Sequence, residues 1–172
     1  TIQKNPNSRR MVISAWAPGN AQVSGLPPCH LLFIFNIQYD NSGEPRLCVH
    51  LTQRSCDVAL GVPYNIAGYS FLLHLFAHLT GMKPGIFGHS LVDAHIYTKK
   101  TDGSMKEYDH IPGLKEQLSR DLGKLPTLVI DPSIKTLDDV MDLLDTDTDT
   151  ILSKFKLENY RPKPFIPFKV AV

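Results

Sequence analysis

Cysteine is scarce in this chain: it has only Cys29, Cys48 and Cys56. An odd, low count without paired spacing argues against a disulfide framework and leaves the thiols reduced, as in the cytoplasm (a host's cytoplasm if the source is viral). A long apolar run is missing too. The longest covers residues 66–79, contains His74 and His78, and is too short to cross a bilayer. Charge of one sign is not in excess, since 18 Lys and Arg against 17 Asp and Glu give a formal net charge of +1. That removes the basic field needed for dedicated nucleic-acid or membrane-surface binding. A local anion site built from a few arginines is still allowed. No P-loop, dinucleotide fingerprint or HExxH pattern occurs. His74 and His78 have the i, i+4 spacing of helical metal ligands but no third ligand, so they read as packing residues and no metal is expected. Residues 1–5 do not look like a signal peptide. The first residue is Thr rather than Met, so a preceding segment is expected to be missing.

What is present suits one folded domain over residues 1–172, with 42% apolar residues available for a core. Residues 5–10 read as a polar turn and 11–16 as a short strand. A loop over 19–28 ends in Pro27-Pro28. Residues 31–39, rich in Phe and Ile, predict a buried strand. Asp40-Asn41-Ser42-Gly43 is a turn signal, and 46–53 is the returning antiparallel strand. A largely apolar helix is expected over 64–80, ending before Gly81 and buried centrally. Further on, 86–97 predicts a strand, 113–122 a surface helix, 127–130 a strand and 137–144 a short acidic helix. Residues 145–150 read as an acidic low-complexity loop, and 165–172 as a last strand with a tail. This mixture without a regular βαβ rhythm predicts an α+β fold.

Several residues could carry chemistry. Cys29 follows two rigid prolines at the mouth of a strand, where a thiol is held in place and can act as a nucleophile once ionised. A cysteine in such a setting is more often a packing residue. In Gln53-Arg54-Ser55-Cys56-Asp57, Arg54 can grip a phosphate with parallel hydrogen bonds and Ser55 adds a hydroxyl donor. Arg54 taken alone more often makes a surface ion pair. Arg9-Arg10 is a second phosphate clamp or a solvated turn. Asp93, His95 and Tyr97 alternate, so on a strand they share a face. A sugar hydroxyl or plain solvent would suit that face.

Taken in order, Asn5-Pro6-Asn7-Ser8-Arg9-Arg10, Ala15-Trp16, Leu26-Pro27-Pro28-Cys29-His30, Gln53-Arg54-Ser55-Cys56-Asp57, Leu60-Gly61-Val62-Pro63-Tyr64-Asn65-Ile66-Ala67 and Asp93-Ala94-His95-Ile96-Tyr97 resemble successive motifs of the thymidylate synthase family. The final Ala171-Val172 resembles the family's C-terminus. The likeness covers the whole chain, which corresponds to roughly the last two-thirds of a family member.

The resemblance implies a large mixed sheet with a buried central helix, one face of the sheet forming a homodimer. It implies that Cys29 adds to C6 of dUMP, that C5 then attacks the methylene of 5,10-methylenetetrahydrofolate, and that hydride from the folate completes dTMP. Arg54, beside Ser55, would hold the phosphate and lower the Cys29 pKa. Arg9 and Arg10 would reach the partner subunit's phosphate. Gln53 and Asn65 belong to the substrate side, with Asn65 on the uracil edge. His95 and Tyr97 would bind the 3′-hydroxyl, and His30 would tune water beside Cys29. Asp57, Gly61, Ala171 and Val172 would meet the folate. The sequence departs from the family pattern at Ala17, Thr52, Gly68, Val92 and Lys163, and residues 101–109 and 143–150 look like insertions. Phage-like relatives that hydroxymethylate dUMP, with water trapping the same intermediate, are therefore an alternative expectation. An inactive nucleotide- or RNA-binding homologue is a third.

Overall fold

In a computed structural model that describes residues 1–21 and 23–170, four strands form one mixed sheet in the order β1-β2-β3-β4. They are β1 (Val12–Ser14), β2 (His30–Tyr39), β3 (Pro45–Asp57) and β4 (Lys83–His95). The expected hairpin is the β2–β3 pair, antiparallel from His30 opposite Gln53 to Tyr39 opposite Pro45. Asp40 builds its turn. The carboxylate accepts from the Ser42 and Glu44 amides at 3.0 and 3.1 Å and pairs with Arg46 at 2.8 Å, while Gly43 adopts φ +83°. The Ser42 hydroxyl first, then Arg46, hold the Asp40 carboxyl far below the usual carboxylate range.

Strands β3 and β4 are parallel. Parallel neighbours need a crossover, and here it is helix α1 (Gly61–Thr80). The helix stops where Gly81 turns left-handed at φ +70° and its amide bonds back to the Ala77 and His78 carbonyls. Its second half is buried on two sides. Leu73 and Ala77 pack on Phe35, Leu47 and Val49 of the sheet. Leu75, Phe71 and Leu79 pack on Ile134, Leu143 and Phe155. Tyr64 and Ile66 in the first half remain exposed. His78 donates through Nε2–H to the Ile134 carbonyl at 2.7 Å, since a carbonyl only accepts. His78 is thus the packing residue expected from its setting.

The remaining elements are α2 (Ile111–Leu118), β5 (Thr127–Ile130), α3 (Leu137–Asp142), α4 (Thr148–Lys154) and β6 (Phe155–Glu158). Strands β5 and β6 pair antiparallel as a second small sheet. Three expectations need correction. Residues 145–150 are not simply a loop, because Asp147 accepts from the Thr150 amide at 2.9 Å and starts α4. The helix expected over 113–122 begins earlier, with Pro112 in its first turn, and ends by Leu118. Residues 165–170 form no strand. Pro164 and Pro167 remove amide donors there, so the segment runs as an irregular tail. The rest of that expected strand, residues 171–172, lies outside the described residues. No described helix is long and apolar enough to cross a membrane.

Candidate active site

The carboxyl ends of β3 and β4, the start of α1 and the turn before β2 converge on one cleft of about 790 Å³. That size falls in the range of small-molecule sites. Cys29, His30, Gln53, Arg54, Ser55, Asp57, Gly61, Asn65, His95 and Tyr97 line it, so ten of the residues singled out from sequence share one wall system. Arg9 and Arg10 do not. They are exposed on the turn before β1, outside this cleft. Ala171 and Val172 lie outside the described residues, and their neighbour Val170 lines the cleft.

Cys29 sits just before β2, and its carbonyl accepts from the Arg54 amide at 2.9 Å. The Arg54 side chain secures the same turn: Nε donates to the Pro28 carbonyl at 3.1 Å and Nη2 to that of Pro27 at 2.9 Å. Its guanidinium also lies 5.5 Å from the Trp16 ring centroid. Two N–H groups are committed to the prolines, leaving the other donors of the fork for an anion. Cys29 is partly exposed, whereas Cys48 and Cys56 are buried. Burial pushes the Cys56 thiol up, so it stays protonated and donates to the Gln53 carbonyl at 3.5 Å.

Gln53 is 1% exposed, and its side chain is fully engaged. Its Nε2 donates to Asn65 Oδ1 at 2.9 Å and to the Ser55 carbonyl at 3.0 Å, while its Oε1 accepts from His89 Nε2 at 2.9 Å. Gln53 therefore holds the Asn65 amide in place. His89, missed in the sequence, anchors the chain of bonds from behind. Burial first, then the neighbouring His50, hold the His89 imidazole below the usual 6.5. The unfolded chain takes up that proton at a higher pH than the folded one, so this contribution is present above 6.5 and is lost progressively as pH falls from 6.5 to the lower folded value. Thermal melts from about pH 7.5 to about pH 5.5 should show a fall in Tm that is flatter in His89→Gln. Equal slopes would assign the fall to another group.

Asp57 ends β3, and its Oδ1 accepts from the Ala59 amide at 3.1 Å, which sets the carboxylate at the entry to α1. Across the β3–β4 ladder it stands opposite His95, whose ring meets Tyr97 edge-on at 5.1 Å. Sequence reading also missed His110 and Phe168. His110 is 2% exposed and packs between the Tyr97 and Phe168 rings, with centroids 5.6 and 5.1 Å away. The one visible signal was a histidine immediately before Ile111-Pro112, at a helix start. Among the described residues no group of three His, Cys, Asp or Glu side chains could hold a metal ion.

The profile of the thymidylate synthase family matches residues 1–172. The chain belongs to the thymidylate synthase family. It is 39% identical to a thymidylate synthase of Saccharomyces cerevisiae over 175 residues, covering 99% of this chain and 51% of that protein. It is 48% identical to a thymidylate synthase of Haloferax volcanii over 119 residues, covering 69% of this chain and 33% of that protein. The chain thus spans about half or less of the length of these relatives. The α+β fold with its mixed sheet is the one implied by the family motifs. Among the family departures, Val92 is 69% exposed and does not line the cleft. Gly68 borders a side groove with His30 and Asn65, and no atom lies within 4 Å of where its Cβ would sit.

Proposed function

We propose that residues 1–172 form a single catalytic domain that transfers one carbon from 5,10-methylenetetrahydrofolate to C5 of dUMP and yields dTMP. The observation that carries this reading is that the Cys29 thiol, the Arg54 fork and the Asn65 amide line the same cleft. The thiolate of Cys29 adds to C6 of the uracil, and the electron pair moves to C5, which becomes the nucleophile. The free donors of Arg54, with the Ser55 hydroxyl, take the phosphate. Asn65, held by Gln53, presents amide N–H and carbonyl oxygen to the uracil edge. His95 and Tyr97 meet the ribose 3′-hydroxyl, and His30 orders water beside Cys29. Asp57, Gly61 and the tail carrying Phe168 and Val170 form the folate side, to which the family resemblance adds Ala171 and Val172. The lining suits that co-substrate, since the Tyr64 and Phe168 rings offer flat surfaces beside apolar Leu60 and the Asp57 carboxylate.

A second copy of the chain is the proposed partner. The sheet face turned away from α1 exposes Val12, Ile86 and Val92. Arg9 and Arg10, exposed outside their own cleft, are free to reach the copy's phosphate. The free thiols suit a reducing cytoplasm.

The test is product analysis by mass spectrometry after incubation with dUMP and 5,10-methylenetetrahydrofolate. Methylated nucleotide with dihydrofolate supports the proposal. Hydroxymethylated nucleotide with tetrahydrofolate would mean that water, not hydride, captures the intermediate. No product would defeat the reading. Asn65→Asp is expected to shift preference towards dCMP by at least about tenfold in the ratio of kcat/KM values, because a protonated carboxyl offers the donor–acceptor order that cytosine needs. Competition between dUMP and dCMP measures it, and an unchanged ratio would remove Asn65 from the base edge.

A further inference from the structure

His110 stands behind the cleft, not in it, and has an unmet hydrogen-bonding group. Its Nε2 lies 2.9 Å from the Lys169 carbonyl oxygen. A carbonyl only accepts, so Nε2 carries the proton. In the neutral ring Nδ1 is then a bare acceptor. Among the described residues Nδ1 has no hydrogen-bond partner, and it faces Asp57 Oδ1, another acceptor, at 3.8 Å. Two acceptors facing each other in a buried setting are unfavourable. One proton between them, with an approach of about 1 Å, would convert the pair into a charge-assisted hydrogen bond.

The surroundings say what that bond would do. Lys169 lies between Phe168 and Val170, both of which line the cleft. Asp57, at the end of β3, lines it too. The His110 amide donates to the Tyr97 carbonyl at 3.0 Å, so the ring is fixed to the β4 end as well. The groups facing His110 are Asp57 from β3, Tyr97 after β4, and the Phe168–Lys169 backbone of the tail. The Lys169 ammonium points elsewhere, over the Tyr108 ring at 4.8 Å and towards Glu107 at 3.9 Å.

We propose that His110 is a positioning residue that latches the C-terminal segment to Asp57. Nε2–H holds the Lys169 carbonyl in both states. Nδ1 takes a proton from solvent and bonds Asp57 Oδ1 when the cleft fills. The tail wall and the carboxylate are thereby fixed together around the co-substrate. The co-substrate part of this inference rests on the proposed function above, whereas the tail contact does not.

Three measurements on the full chain test it. Tryptic cleavage after Lys169, without ligands, should speed up about tenfold in His110→Phe, which keeps an aromatic ring and loses both nitrogens, and should recover in His110→Gln, whose amide can still donate to the Lys169 carbonyl. The KM for 5,10-methylenetetrahydrofolate should rise about tenfold in His110→Phe, with the dUMP Kd changed less than about threefold, because the phosphate grip lies on the Arg54 side. The imidazole ¹⁵N spectrum of the unmutated protein should show Nδ1 unprotonated alone and protonated with dUMP plus tetrahydrofolate. Unchanged tail cleavage, an unchanged folate KM beside a loosened tail, or an Nδ1 that never gains a proton would each overturn the latch. If the unmutated protein has no turnover, the functional reading fails, and tail cleavage still decides the contact.

Discussion

Cys29→Ser is expected to lower turnover by at least about 10³-fold while dUMP binding stays within about tenfold of the unmutated protein. The asymmetry follows from what the thiol does and does not touch. Binding of the nucleotide rests on Arg54, Ser55 and Asn65, which the substitution leaves in place. Attack on C6 needs an ionised sulfur, and a serine hydroxyl at the same place is not ionised near neutral pH. The other two thiols cannot substitute for it. Cys56 is fully buried, with its proton committed to the Gln53 carbonyl. Cys48 is buried at the far end of the sheet, where its sulfur accepts from the Ile86 amide at 3.2 Å. Cys48→Ala should therefore cost stability and leave kcat within about threefold. Mass spectrometry of the denatured protein after incubation with dUMP and folate would look for the covalent adduct. An adduct that persists in Cys29→Ser, or wild-type-like turnover, would remove Cys29 from its role.

Arg54→Lys is expected to behave almost as badly as Arg54→Ala, each lowering kcat/KM by about 10²-fold or more. A role confined to the phosphate charge would let lysine recover much of the loss. The geometry says otherwise. Nε and Nη2 together grip the Pro28 and Pro27 carbonyls, while the backbone amide holds the Cys29 carbonyl. An ammonium cannot span two consecutive carbonyls and a phosphate from one fixed plane. The lysine variant should thus bind dUMP more weakly and hold the Cys29 turn more loosely, so kcat falls along with affinity. Steady-state kinetics for both variants would separate the two effects. A lysine variant with normal kcat and raised KM would confine Arg54 to the phosphate.

The Cys29 turn also shows how much could be seen beforehand. Its residues were legible as a motif: two prolines, the cysteine and, some way on, Arg54 and Ser55. The β2–β3 hairpin was legible because a Phe- and Ile-rich run met an Asp40–Gly43 turn signal. Helix α1 was legible because its apolar content persisted up to a terminal Gly81. What could not be read depends on long-range or backbone contacts. His110 bonds a backbone carbonyl 59 residues away, and a carbonyl has no signature in the sequence. The Gln53–His89 bond spans 36 residues. Helix α4 was hidden because alternating Asp and Thr read as low complexity, yet one of them, Asp147, is a helix cap. Strand β6 was hidden because its four residues find a partner only in the distant β5. The tail misled in the other direction, since its apolar residues suggested a strand that Pro164 and Pro167 do not permit.

The parallel pairing of β3 with β4 bears on how a nascent chain behaves. The hairpin can close as soon as its own residues have left the ribosome, bringing Cys29 and Arg54 together early. The His95–Tyr97 side must wait for α1 to be made and to cross over. The Phe168 wall waits until residues around 168 have emerged. Non-local pairings close slowly because the intervening loop entropy is lost before the contacts form. A ribosome-bound intermediate would therefore display the thiol and its arginine with no opposite wall. Thiol labelling of stalled chains would find Cys29 reacting faster at the early lengths than after the tail has emerged.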